Sequence, residues 1–399
     1  MKAIWIAILA AIFMATGCGT TSDDFQSTHP NLEPIGPVQF AAGTPTQSIR
    51  DMPPSWNRST PELTSMHVRV LHGGIEYRTI APIDLTAPGH DTDSMLPPEE
   101  ASQLGVQQSA LEGGTDDRYH IGNHVTAFPF KSSAMILYED DLTDAFYYCT
   151  ASLIGPHTFV TAAHCLYKIN VGWYDLKFIA LGLDDGNTGP YCNFATQQFV
   201  NCPLDLQDPA TATLTVPDQW TSSFDPQYDM GIITIGGAYS TWFGTKMNEQ
   251  AALCTPQGIV WAGSSLSTRS GPKISRSGYD TDKQQCGPAC GQQNVDYQQW
   301  SANGTIYPMQ SFMPGQQSYC DPASPFLLTD AFMAPPAWNG VSFGTDGAGV
   351  YYPTSNYKVL GIELTPGEGL PNLPGQISLV NGWRQWSYDF VHGTDPTWP

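Results

Sequence analysis

The stretch Cys149-Thr-Ala-Ser-Leu-Ile-Gly-Pro-His-Thr-Phe-Val-Thr-Ala-Ala-His164-Cys165 decides how the rest of the chain is read. Its apolar and β-branched residues fall in two runs on either side of Gly155-Pro156, a turn signal, so it reads as strand, turn and strand. That hairpin delivers His164 to a strand end, and a Cys149–Cys165 bridge locks it from beneath. A general base needs such immobilisation, because proton transfer demands hydrogen-bond reach and tight orientation. The same residues also describe a structural histidine beside a structural disulfide, and the flanks must choose between the two.

Around this stretch lie 399 residues with 37 Asp and Glu against 16 Lys and Arg, a formal net charge of −21. Only 13% of the chain is charged, against roughly 25% in an average soluble domain. The 38 Gly, 33 Pro and 12% aromatic residues are the make-up of a strand- and loop-rich exported product rather than a helical bundle. With 41% hydrophobic residues the chain builds a sizeable core and is not disordered, and its length suits two or three domains. The acidic balance repels phosphate backbones and anionic headgroups, which excludes nucleic-acid partners and electrostatic docking to membranes.

Residues 1–17 combine Lys2, the apolar run Ala3 to Met14 and the small residues Ala15-Thr16-Gly17 before Cys18. The run is too short to span a bilayer and reads as a signal peptide. Its ending resembles the bacterial lipobox, which implies acylation of Cys18 and an anchored lipoprotein, periplasmic or at the cell surface; a secretory signal cut near Ala15-Thr16-Gly17 is the alternative, and either exports the chain. Beyond Cys18 eight of the nine cysteines remain, an even number that argues for disulfides in an exported protein. Cys149 with Cys165 and Cys192 with Cys202 are the expected pairs, while Cys254, Cys286, Cys290 and Cys320 leave three pairings open. Cys286-Gly-Pro-Ala-Cys290 has no close histidine to complete a zinc site, so no metal and no cofactor is expected.

Residues 18–111 read as a flexible tether and pro-like segment. Residues 19–61 are polar and aliphatic-poor, residues 81–111 are rich in Pro, Asp and Glu, and between them Met66–Leu71 and Ile75–Ile80 alternate around His72-Gly73-Gly74 as a hairpin too small to stand alone. From residue 112 onward short β-type runs alternate with Gly, Pro, Asn and Asp, the pattern of a sandwich or a pair of barrels. Val380, Trp383, Trp386 and Phe390 recur at helical spacing and predict an amphipathic helix over Leu379–Phe390. The fold class is therefore all-β with a C-terminal helix.

Thr161-Ala-Ala-His-Cys165 resembles the histidine motif of trypsin-like serine proteases. Gly114-Thr-Asp-Asp-Arg118, Phe128-Pro129-Phe130 and Leu153-Ile-Gly-Pro156 are similar to the opening of the bacterial glutamyl-endopeptidase branch, Tyr228-Asp229-Met-Gly-Ile-Ile-Thr-Ile235 to its aspartate strand, and Gly278-Tyr279-Asp-Thr-Asp282-Lys283 to a turn of that branch, without the turn's proline. The motifs occur in the family's order over roughly residues 113–392. The resemblance implies a domain over residues 112–399 made of two six-stranded antiparallel β-barrels, with a Ser-His-Asp triad at their interface and an oxyanion hole beside the nucleophile. It implies that His164 is the base and Asp229 the carboxylate that orients it.

The chain departs from the family at the nucleophile. Counting back from Val350-Tyr-Tyr352 and from Tyr357–Ile362 makes Gly344-Thr-Asp346-Gly-Ala-Gly349 the nucleophile loop, with Asp346 where the family has serine. A carboxylate there is no alkoxide precursor, and its charge opposes the developing oxyanion. Ser342 is the alternate nucleophile, at the expense of the strand register that follows. The family's activation point corresponds to Glu112-Gly113-Gly114, which lacks a β-branched residue. Glu363 stands where the family's pocket histidine does and would favour Lys or Arg over acidic side chains. The expected protein is an exported, monomeric serine-endopeptidase homologue that acts on protein or peptide and touches a membrane only through its lipid, or else an inactive pseudoprotease serving as a binding module.

Overall fold

Runs such as Ala134–Tyr138 and Val359–Ile362 fall in two large antiparallel sheets with few helices, so the protein is mostly β. The computed structural model describes residues 22–42, 64–84, 119–121, 130–140, 145–155, 157–182, 191–193, 198–200, 202–205, 212–223, 228–235, 273–279, 299–308, 326–329, 347–351, 359–366, 378–382 and 385–395.

The first sheet has ten strands in the order Leu32–Pro37, Ile75–Thr79, Val68–His72, Ala212–Pro217, Gly231–Ile235, Thr158–Thr161, Ala145–Leu153, Ser133–Asp140, Leu176–Leu181 and Cys202–Asp205. The second has seven, in the order Lys273–Gly278, Gly349–Tyr351, Val359–Pro366, Ser378–Gly382, Phe326–Thr329, Trp300–Pro308 and Tyr119–His120. Lys273–Gly278 also pairs with Trp300–Pro308, from Lys273 opposite Thr305 to Gly278 opposite Trp300, which closes six of those strands into a ring.

The sheets meet through buried polar contacts. The hydroxyl of Ser133 donates to the carbonyl of Ser277 at 3.1 Å, the Tyr279 N–H to the Thr150 hydroxyl at 3.1 Å, and the Gly349 N–H to the Ser152 hydroxyl at 2.9 Å. Tyr279 is fully buried against Met135, Leu137, Tyr148 and Ala180, so the Gly278-Tyr279 turn is a seam between the sheets. Side chains such as Phe159 and Val160 are wholly buried, and each contributes about 1.5–3 kcal/mol by removal from water.

Two expectations change. Residues 22–42 are not a tether: Ser22–Thr28 is a helix and Leu32–Pro37 a strand paired to Ile75–Thr79. The cause is local burial, because Phe25 and Leu32 join the main core and Phe25 stacks on His72 with ring centroids 3.8 Å apart. The hairpin Val68–His72 and Ile75–Thr79, turned at Gly73-Gly74 with φ of 59° and 75°, pairs through Val68–Leu71 with Ala212–Pro217. The leader's described residues thus supply three of the ten strands. The C-terminal helix spans Gln385–Thr394, not Leu379–Phe390, because Val380 lies on the strand Ser378–Gly382 opposite Leu327 and Glu363. Phe390 and Val391 of that helix are buried in the core of the first sheet, and the Thr158 hydroxyl donates to the Asp395 carboxylate just past its end.

Candidate active site

His164 lies on a short 3-10 turn, Ala163–Cys165, that follows the strand Thr158–Thr161 after one extended residue, Ala162. The turn closes through the Cys165 and Leu166 N–H groups, which donate to the carbonyls of Ala162 and Ala163 at 3.1 and 2.9 Å. Cys165 is bridged to Cys149 with a Cα separation of 6.1 Å, as expected, so the turn is tied to the neighbouring strand Ala145–Leu153.

Strand register delivers Asp229. Gly231 stands opposite Thr161 in the antiparallel pair, so stepping two residues off each strand end brings Asp229 beside Ala163 and within reach of the next residue, His164. Gly231 permits this approach, since a Cβ there would sit 2.6 Å from Leu166 Cδ1 and 3.3 Å from the Cα of Ala163.

The pair makes two contacts. The backbone N–H of His164 donates to Asp229 Oδ1 at 2.9 Å, and Nδ1 lies 2.7 Å from Oδ2. The side chains are 4% and 3% exposed, which keeps water from competing for the carboxylate. An ionised carboxylate only accepts, so Nδ1 carries the proton and the basic lone pair of a neutral ring falls on Nε2. Two bonds to one carboxylate also fix the ring relative to its own backbone, which is what a general base requires.

Sequence reading did not single out Trp220. It sits on the helix Asp218–Ser223, is 1% exposed, and its ring centroid lies 6.4 Å from that of His164, forming one wall beside the imidazole. Its indole N–H donates to the carbonyl of Tyr167 at 3.5 Å. The signal for this helix is Pro217-Asp218, an acidic start at a strand end, but nothing in the local pattern says that the helix reaches His164.

Asp346 and Ser342 lie outside the described residues, as do Cys18, Glu112 to Gly114, Cys254, Cys286, Cys290 and Cys320. The residue after Asp346 does not. Gly347 has φ of +86°, and a Cβ on it would fall 2.2 Å from Thr161 Oγ1, 2.3 Å from the Thr150 carbonyl oxygen and 2.9 Å from the Ala162 nitrogen. Only glycine fits there, both for the left-handed backbone and for the space. The loop's end is therefore seated on the residues that lead directly into His164.

Glu363 lies on Val359–Pro366, whose residues Gly361 and Ile362 face Val350 and Gly349. That is the strand adjacency expected from the sequence; the Glu363 side chain is outside the description. Cys192 lies in the hairpin Tyr191–Asn193 with Gln198–Val200, and Cys202 begins the first sheet's edge strand; their side chains are likewise not described.

Among the described residues the grouping of metal-capable side chains is Cys149, His164 and Cys165. It does not fit a metal, because the two sulfurs are bonded to each other and Nδ1 is engaged by Asp229. No described helix is long and apolar enough to cross a membrane.

No protein-family model matches the sequence. Among curated proteins the chain is similar to an extracellular metalloprotease of Bacillus subtilis (strain 168), at 28% identity over 142 residues, 35% of this chain and 40% of that protein. The chain thus spans about two fifths of the length of that relative. Among solved structures it is similar to a Glu endopeptidase in complex with MPD, with a TM-score of 0.42 and 18% identity over 71% of this chain and 99% of the other. A second is the VesB protease of Vibrio cholerae, with a TM-score of 0.38 and 15% identity over 66% of this chain and 64% of the other.

Proposed function

We propose that this chain is an exported homologue of trypsin-like serine endopeptidases. In this reading it binds peptide against the His164–Asp229 pair, and Asp346 at the nucleophile position leaves the native protein a weak or inactive hydrolase. The observation that carries it is the two-point attachment of His164 to Asp229, at 2.9 Å through the backbone N–H and 2.7 Å through Nδ1. The ring bond would hold the tautomer, as the family's orienting carboxylate does, and the backbone bond fixes that carboxylate beside the histidine. The order of the motifs supports the family, and the relative's name, an extracellular metalloprotease, supports export and a peptide substrate while naming a different chemistry.

In the family's chemistry Nε2 removes the proton of a serine as its oxygen attacks the scissile carbonyl. Asp229 stabilises the resulting imidazolium, and the proton passes to the leaving amine as the acyl-enzyme forms. Asp346 offers no hydroxyl proton, and its charge disfavours the tetrahedral oxyanion. The finer assignments belong to the same proposal: two six-stranded barrels, a diacyl or triacyl anchor on Cys18, a Cys192–Cys202 bridge, a pocket in which Glu363 favours Lys or Arg, and a monomeric protein. The buried His164–Asp229 pair would equally serve an active protease that uses Ser342, which is the second reading.

A fluorophosphonate probe followed by peptide mapping separates the two. The expected result is no labelled serine in the native protein and a labelled residue 346 in Asp346→Ser. A label on native Ser342 makes the second reading correct, and an unlabelled, folded Asp346→Ser protein sinks the first.

A further inference from the structure

The leader is knitted into the body at four places. Val68–His72 pairs with Ala212–Pro217, from Leu71 opposite Leu214 to Val68 opposite Pro217. The Asp218 N–H, next in the chain, donates to the His67 carbonyl at 2.9 Å. Ala41 donates to the Trp173 carbonyl at 2.7 Å, and Lys168 Nζ to the Ala42 carbonyl at 2.9 Å, so the leader's first arm lies on the loop just after His164. Ile83, at its far end, packs against Gly393 of the C-terminal helix, where a Cβ would come within 2.8 Å of it. Met66, Val68, Val70, Leu71 and Tyr77 are buried in the same core cluster as Ala162, Ala163 and Trp220.

At the centre of this contact is Asp218, the first residue of the helix that carries Trp220. Arg69 Nε donates to Oδ1 at 2.8 Å and Arg78 Nη2 to Oδ2 at 2.6 Å, while Arg69 Nη1 reaches Glu76 at 2.9 Å. Both arginines come from the leader hairpin. Burial pushes the Asp218 carboxyl up, and the hydrogen bond and charge of Arg69 with the charge of Arg78 outweigh it and hold the group below the usual carboxylate range. Burial likewise works against Arg69, whose hydrogen bonds to Asp218 and Glu76 raise it nonetheless. The Asp218 carboxylate, which also accepts from the Thr221 hydroxyl at 3.1 Å, fixes the first turn of the short helix, and Trp220 follows two residues later, beside the imidazole.

We infer that residues 22–42 and 64–84 are a permanent part of the folded body rather than part of a segment lost on maturation, and that Arg69, Arg78 and Asp218 form a positioning array that holds Trp220 against His164. The second half of this rests on the reading of His164 as a base; the first half does not.

Two experiments test it. A site for an added protease is placed between residues 85 and 118 of the full chain, and the cut protein is passed through size exclusion at physiological salt. Co-elution of the two pieces as one species of unchanged size is expected. Elution of a folded C-terminal piece without the leader overturns the permanence. Asp218→Asn is then compared with the native protein and Asp218→Glu by NMR of the His164 Nδ1 proton, with far-UV circular dichroism as the folding control. A displaced or broadened resonance in Asp218→Asn, recovered in Asp218→Glu, is expected; in the Asp346→Ser protein the same substitution should lower kcat about 10- to 100-fold with KM little changed. An unmoved His164 resonance in folded Asp218→Asn overturns the positioning array, whether or not any variant hydrolyses peptide. Should Asp218→Asn fail to fold, Trp220→Phe leaves the arginine contacts in place and alters the wall together with its hydrogen bond to Tyr167, and an unmoved resonance there has the same force.

Discussion

His164 and Asp229 are held by strand pairing, a disulfide and two hydrogen bonds to one carboxylate, whereas Gly347–Gly349 enters from the other sheet and packs at Gly347 on Thr150, Thr161 and Ala162, with one hydrogen bond from Gly349 to Ser152. Among the described residues the His164 side is fixed by backbone pairing and a covalent bridge, and the Gly347 side by the packing of one glycine and one hydrogen bond. The two kinds of constraint meet at Thr161 and Ala162, on which Gly347 packs, so changes on the two sides are changes at neighbours and need not add. On the reading proposed above, the substitution of aspartate for serine at 346 falls on the packed side and leaves the His164–Asp229 contacts assembled.

The largest expected effect falls on the His164–Asp229 side. In the Asp346→Ser protein, Asp229→Asn should reverse the preferred tautomer and lower kcat by about 10⁴-fold, measured with a chromogenic peptide ester. Activity within a few fold of the parent would mean that Asp229 is merely structural. The next effect is on stability: replacing Cys149 and Cys165 together by serine should cost about 3 kcal/mol for a loop of this length, read from urea midpoints. Because the bridge lies under His164, the loss should also appear as faster amide exchange at Ala163 to Leu166. A smaller effect belongs to the other side. Gly347→Ala should cost about 1–3 kcal/mol through its positive φ and its clash with Thr161, and should disturb the resonances of Thr150 and Thr161 before those of Asp229.

The smallest effect sharpens the role of the leader. Burial, and then the nearby His29, hold His72 below its usual value of 6.5, while a hydrogen bond to Ala212 opposes them. The unfolded chain therefore takes up the proton first, so this contribution is complete above about 6.5 and diminishes as pH falls through that range toward the folded-state value. Urea midpoints between pH 7.5 and 5.5 should decline less in His72→Gln than in the parent. An equal decline in both would remove His72 from the account.

Much of this was legible in the sequence where local pattern and tertiary contact agree. Thr158–Thr161 and Gly231–Ile235 are apolar, β-branched runs that end at His164 and start after Asp229, and both form the strands expected of them. Gly73-Gly74 announced its hairpin turn. The pattern misleads where residues of a strand and of a helix fall by chance at one spacing, as Val380 does before the helix at Gln385–Thr394. It is silent where a single apolar residue in polar surroundings is buried by something distant in sequence: Phe25 among Ser, Asp and Gln finds His72, and Trp220 finds His164. Ion pairs such as Arg69–Asp218 bridge 149 residues and leave no periodic trace.

The outermost strands of the ten-stranded sheet are Leu32–Pro37, which contains Pro34 and Pro37 and shifts register between Pro34 and Gly36, and Cys202–Asp205, which contains Pro203. A proline offers no N–H to an incoming strand, and a register shift twists an edge away from one. So broad a sheet would otherwise present two templates on which further copies could stack by backbone hydrogen bonds. The leader, by ending the sheet with such a strand, makes the fold self-limiting: the same segment that widens the sheet also stops its growth, and crowding alone should not turn these molecules into fibres.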